Sequence, residues 1–82
     1  MTTYDQIRRY EAADAAQAVT VEIGSHGFYR YVLWNWHDPE SPYETQGYWL
    51  PAHWSGVYES ADQAESDATA ESRWLREARN LV

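Results

Sequence analysis

The chain contains no cysteine, no lysine, one methionine and four glycines. No apolar run approaches the roughly 20 residues that a membrane-crossing helix requires. Without thiols, neither a disulfide framework nor a thiolate metal site can form. Without lysine, all 6 basic side chains are arginines, set against 13 carboxylates for a net charge of −7. That balance opposes direct contact with nucleic acid or anionic lipid, both of which attract clustered Lys and Arg, and favours a basic partner. The N-terminal stretch "MTTYDQIRRYEAADAAQ" lacks the continuous apolar core of a secretory signal. These absences lead to the expectation of a soluble, unprocessed, cytoplasmic protein.

What the chain has in excess is aromatic side chains: one Phe, seven Tyr and five Trp in 82 residues. A chain of this length forms one domain, residues 1–82, and buries only about 60% of its unfolded surface. Rings that bury roughly 150–250 Å² each let such a domain build a core without staples.

Between Tyr4 and Ala18 there is neither Gly nor Pro, alanine is frequent, and Tyr4, Ile7, Tyr10 or Glu11, and Asp14 recur at helical spacing. The pattern predicts a first helix capped by Thr2 or Thr3. "AVTVEIG" then alternates, with Val19, Val21 and Ile23 on one face and Thr20 and Glu22 on the other, which predicts a half-buried strand. "GSHG" supplies a hairpin turn into Phe28–Trp36, a central strand apolar on both faces. Its Phe28, Val32, Trp34 and Trp36 face one way, and Tyr29, Tyr31 and Leu33 the other. After the loop "HDPESPYETQ" the strand pattern resumes, and Pro51 within it indicates an edge position or a bulge.

Ser60 and Gln63 form a capping box for a terminal helix whose Ala61, Ala64, Ala68, Leu75, Ala78 and Val82 share one face. Its small alanines let it sit close to a ring-bearing sheet. The expected architecture is an α+β two-layer sandwich, a three-stranded antiparallel sheet with an N-terminal and a C-terminal helix in α-β-β-β-α order. The order resembles that of the double-stranded-RNA-binding domain. The resemblance ends at topology, because Asp62, Glu65, Asp67 and Glu71 stand where such domains need phosphate-binding cations.

The acidic run Glu59, Asp62, Glu65, Asp67, Glu71 invites two explanations. It would imitate a row of phosphates for a basic groove, or it would complement the helix macrodipole together with Arg73, Arg76 and Arg79. The dipole accounts for both ends of the helix and mimicry for one. Glu71 lies on the apolar face, so either Arg30 meets it or that stretch is exposed for a partner. His26, His37 and His53 with Asp38 or Glu40 match no metal-site spacing, and the adjacent His37 and Asp38 do not form an acid–base pair aimed at one atom. No metal, cofactor or enzymatic activity is expected.

Trp34 and Trp36 project from the same strand face, either into the core under the helix or as a stacking platform for a sugar beside Asn35, Asp38 and Glu44. Some of Tyr29, Tyr31, Tyr43, Tyr48, Trp49 and Trp54 must lie on an uncovered sheet face. A Tyr/Trp patch rimmed by acids suits a protein interface. In size, acidity and lack of catalytic motifs the chain resembles the small inhibitors of phages and mobile elements, anti-CRISPR proteins and DNA mimics among them. The resemblance implies a protein-binding module that covers a basic surface of a nucleic-acid-handling protein. Its expected partner-binding residues are Glu59, Asp62, Glu65, Asp67, Tyr48, Trp49 and Trp54. A carbohydrate or small ligand on the Trp/Tyr platform, and a homodimer joined through the aromatic face, are the alternatives.

Overall fold

Pleated-strand alternation governs the first half of the chain more strongly than alanine content does. In the computed structural model, which describes residues 2–13, 16–38 and 46–80, β1 (Tyr4–Glu11) is followed by β2 (Gln17–Gly24), β3 (Tyr29–His37) and β4 (Tyr48–Trp54). These four strands form one antiparallel sheet in the order β1-β2-β3-β4, and α1 (Ala61–Glu71) and α2 (Arg73–Asn80) follow. The α+β class stands. The expected α-β-β-β-α order and three-stranded sheet do not, because Tyr4–Glu11 is a strand rather than a helix. The topological likeness to the double-stranded-RNA-binding domain falls with it.

The physical reason lies in one residue. β1 pairs regularly with β2 except for a slip between Gln6 and Arg8, which leaves Ile7 as a bulge. An inserted residue breaks the period of two, so that Tyr4, Ile7 and Tyr10 fall at intervals of three and imitate a helical stripe. The alanines of the segment lie at its far end, from Ala12 onward, and the part that pairs carries Tyr and Ile, which suit a pleated surface.

β3 is central, as its two-sided apolar pattern required, and β2, expected as a half-buried strand, is central as well. The turn between them closes with Gly27 N–H donating to Gly24 O at 2.9 Å. Gly27 sits at φ +88°, a conformation glycine takes without a Cβ penalty. Pro51 is on an edge strand and beside a bulge, since the β3–β4 register passes from Leu33↔His53 to Trp34↔Pro51 and leaves out Ala52. Both devices blunt the edge against strand addition.

The register sorts side chains onto two faces. Tyr10, Val19, Leu33 and His53 form one cross-strand row, and Arg8, Val21 and Tyr31 the next; these face the helices. Arg9, Thr20, Val32 and Trp54, then Glu11, Ala18, Trp34 and Pro51, form rows on the opposite, open face. The core under the helices is Val19, Tyr31, Ala68 and Leu75, with Tyr10, Leu33, Tyr58 and Trp74 packed against it. Ala64 and Ala68 are fully buried, so the small-residue face of α1 lies against the sheet as expected.

Ser60 caps α1, its hydroxyl accepting the Gln63 N–H at 3.1 Å. The terminal helix does not run unbroken. At Ser72, with φ −102° and ψ 101°, the N–H donates to Ala68 O at 2.9 Å and the carbonyl accepts from Arg76 N at 3.0 Å. Ser72 therefore ends α1 and starts α2, a position that suits serine. Val82, expected on the helix's apolar face, lies outside the described residues. No described helix is long and apolar enough to cross a membrane.

Candidate functional site

The helix face is joined by polar contacts as much as by apolar ones. Three tyrosines on the sheet side present hydroxyls to carboxylates of α1. Tyr10 donates to Glu65, and Tyr58 to Asp67 at 2.8 Å. The Tyr31 hydroxyl faces both Glu71 and Tyr58. Arg8 adds Asp62 at 3.0 Å and Glu65 at 3.6 Å. Helix carboxylates thus tie α1 to strands β1 and β3 and to the Tyr58 segment. Glu71 meets Tyr31 and lies 3.9 Å from His53, whereas Arg30, its expected partner, is on the opposite face of the sheet.

Burial first, then the facing Asp67, pushes the Tyr58 hydroxyl up to about 12, and burial with Glu71 raises Tyr31 as well. The folded state holds these protons more tightly than an unfolded chain, whose tyrosines titrate near about 10. The contribution of Tyr58 to stability is therefore complete below about pH 10 and is lost as pH rises through about 12, and that of Tyr31 is likewise lost at alkaline pH. Urea unfolding in steps from pH 9 to 12 should show stability falling across that window, with a shallower fall in Tyr58→Phe. An identical slope in the variant would remove Tyr58 from the account.

On the open face a second polar chain is buried beneath the rings. Trp34 Nε1–H donates to Thr20 Oγ1 at 2.9 Å, and Thr20 Oγ1–H donates to Glu22 Oε2 at 3.1 Å. Arg30 closes on Glu22 Oε1 through Nε at 2.9 Å and Nη2 at 2.8 Å, and its guanidinium lies 3.5 Å over the Tyr4 ring. Thr20 and Glu22, expected on the exposed side of a half-buried strand, are 0% and 4% exposed. The sequence pattern shows alternation but not that both faces of β2 are covered. Opposite-charge partners at Glu22 and Arg30, directly across the hairpin, are the signal that would have found the network.

Four of the five tryptophans, Trp34, Trp36, Trp49 and Trp54, share this open face. Trp34 and Trp36 are not under the helix; the Tyr31 and Leu33 side of β3 is. Trp36 donates its N–H to Asp38 at 2.9 Å and packs edge-on against Trp49 at 5.3 Å, and Arg9 lies 5.2 Å over the Trp49 ring. Trp54 is 53% exposed. Among the described residues, the indole N–H groups of Trp49 and Trp54, both on edge strand β4, have no hydrogen-bond partner.

The chain matches no protein-family model, no curated protein and no solved structure.

The residues expected to bind a partner are divided between the two sides of the molecule. Trp49 and Trp54 lie on the open face, whereas Asp62, Glu65 and Asp67 sit on α1 and Tyr48, stacked on His37 at 5.6 Å, on the helix side. Glu59 is exposed at the turn before α1, and Glu65 is buried. The three histidines are dispersed: His26 beside Tyr4 and Phe28, His37 beside Tyr48, and His53 beside Tyr31. No group of three metal-ligating side chains comes together among the described residues. Glu40, Tyr43 and Glu44 lie outside them. At the α1–α2 break a groove of about 460 Å³ opens between Glu71 and Trp74 on the helices and Gln17, Leu33 and Asn35 on the sheet.

Proposed function

We propose that the protein is a small acidic protein-binding module whose working surface is the tryptophan face of the sheet. Support comes from the concentration of four of the five tryptophans on the side that the helices leave open, with Trp49 and Trp54, along an edge strand, offering N–H donors that have no partner among the described residues. Tryptophan supplies large area and a directed hydrogen bond at small entropic cost, which is why it is concentrated at binding hot spots. The Thr20–Glu22–Arg30 chain beneath holds Trp34 in one orientation, so the surface is organised before it meets a partner.

The charge of −7 selects a basic partner and accelerates encounter, as on proteins that handle nucleic acid. The α1 carboxylates contribute to that field, but their hydrogen bonds run to Arg8, Tyr10 and Tyr58, which suits a clamp better than a free row of phosphate mimics. Inhibition by covering the partner's basic surface is the mechanism proposed.

Trp54→Ala tests the assignment most cleanly, because that ring makes no described polar contact and half of it is already in water. The variant should keep wild-type stability within about 1 kcal/mol yet weaken binding, at least about tenfold, to a basic partner captured from cell lysate by the tagged protein, as hot-spot truncations do. Titration calorimetry with the purified partner reads the second quantity. Unchanged affinity would remove the tryptophan face as the interface, and a wild-type protein that captures nothing would remove the module itself.

A further inference from the structure

The groove at the helix break adjoins the tryptophan face at Trp34 and shares Glu71 with the tyrosine clamp. Trp34 and Trp74 line it with Leu33, Gln17, Asn35 and Glu71. Gln17 and Asn35 are cross-strand partners, so β2 and β3 set their amides side by side. Among the described residues, neither amide side chain nor the Trp74 N–H has a hydrogen-bond partner. The groove thus joins two tryptophans to oxygen-bearing side chains that include Gln17, Asn35 and Glu71, and its volume of about 460 Å³ is well within the range of ligand sites.

The charges select among ligands. Arg73 and Glu77 also border the groove, and they neutralise one another at 2.9 Å. Glu71 then leaves one negative charge in surplus. Its neighbour His53, at 3.9 Å, answers it only when protonated. An anion is opposed by that surplus and by the net charge of −7, and a neutral ligand gains no charge pairing from a carboxylate that already has the Tyr31 hydroxyl beside it. A guanidinium satisfies each feature: it is flat, weakly hydrated, stacks on indole, and offers five donors to carboxylate and amide oxygens.

We infer that this groove is a receptor for an arginine side chain presented by the basic partner. The source of that arginine rests on the protein-binding reading of the molecule; the chemistry of the groove does not. The arginine would lay its guanidinium against Trp74, pair with Glu71 and donate to Gln17 and Asn35. The groove would then add specificity for arginine over other cations on a partner held mainly through the tryptophan face.

N-acetyl-arginine methylamide is a probe that needs no partner. In nitrogen-15 spectra of the full chain at pH 8, it should shift the Trp74 indole and the Gln17 and Asn35 side-chain amide signals saturably, at millimolar concentration. The neutral citrulline analogue should bind about three- to fivefold more weakly, and Glu71→Gln should weaken the arginine probe by a similar factor. Glu71 is about half exposed, so Glu71→Gln retains the fold, as its remaining backbone signals would confirm. Absence of a saturable shift, equal binding of arginine and citrulline probes, or equal binding of methyl glucoside would overturn the inference. Because the probe reports without a partner, failure here leaves the tryptophan-face proposal untouched, and failure of partner capture leaves this result untouched.

Discussion

Arg30→Met is expected to remove about 3 kcal/mol of stability, measured by urea unfolding followed through tryptophan fluorescence. Glu22 is 4% exposed and its Oε1 receives two nitrogens of Arg30. Methionine fills much of the same volume but leaves that carboxylate buried and uncompensated. Loss of one partner of a buried pair costs about 3–5 kcal/mol, and the lower end applies here because the Arg30 side chain remains 23% exposed. A domain of 82 residues has about 4–12 kcal/mol in total, so the variant loses a large share of it. Glu22→Gln combined with Arg30→Met should recover more than half of the loss, since a neutral amide needs no counter-charge. A cost below about 1 kcal/mol in the single variant, or no recovery in the double, would show that the pair is solvated.

The consequence reaches the proposed binding face. Glu22 accepts from Thr20, and Thr20 from the Trp34 indole, so a disturbed carboxylate releases the ring that lies opposite Pro51 on β4. Stability and surface organisation are therefore coupled in this protein through one hydrogen-bonded chain. A face made of rings held from below has little entropy left to lose on binding.

The elements with an unbroken pattern were legible from residues alone: the alternation of β2, the two-sided β3, the edge character of Pro51 and the Ser60 cap. Where legibility failed, a single local feature had interrupted the period. The Ile7 bulge made a strand imitate a helix, and Ser72 divided a helix whose apolar spacing continues past it. The site was harder, because its residues are assigned to faces by pairing rather than by order. Trp49 and Asp62 both read as exposed and interactive, yet the sheet separates them. Arg8 and Tyr10 do not read as partners of α1 in the sequence, because helical spacing groups Tyr10 with Tyr4 and Ile7, whereas the pairing after the bulge puts Arg8 and Tyr10 together on the face toward α1.

Leu75→Ala is expected to cost about 2–5 kcal/mol and to release α2 before the rest of the molecule. Leu75 is 1% exposed and is the largest fully buried side chain among the described residues. The other buried hydrophobic residues on the helices are Ala64 and Ala68, whose methyl groups fill little space. α1 would remain tied to the sheet by Arg8, Tyr10 and Tyr58, contacts that the substitution does not touch. α2 has no comparable polar tie to the sheet among the described residues, its ion pair being internal between Arg73 and Glu77. Hydrogen exchange should therefore show the amides of α2 losing protection while those of β2 and β3 keep theirs, a sub-global opening rather than uniform loosening. Leu75→Met, which nearly conserves volume, should cost less than about 1.5 kcal/mol and preserve that protection. Uniform loss of protection in Leu75→Ala would mean that α2 and the sheet unfold as one unit. With α2 released, Trp74 leaves the wall of the groove, so the arginine probe should fail to bind Leu75→Ala under conditions where the sheet is still folded.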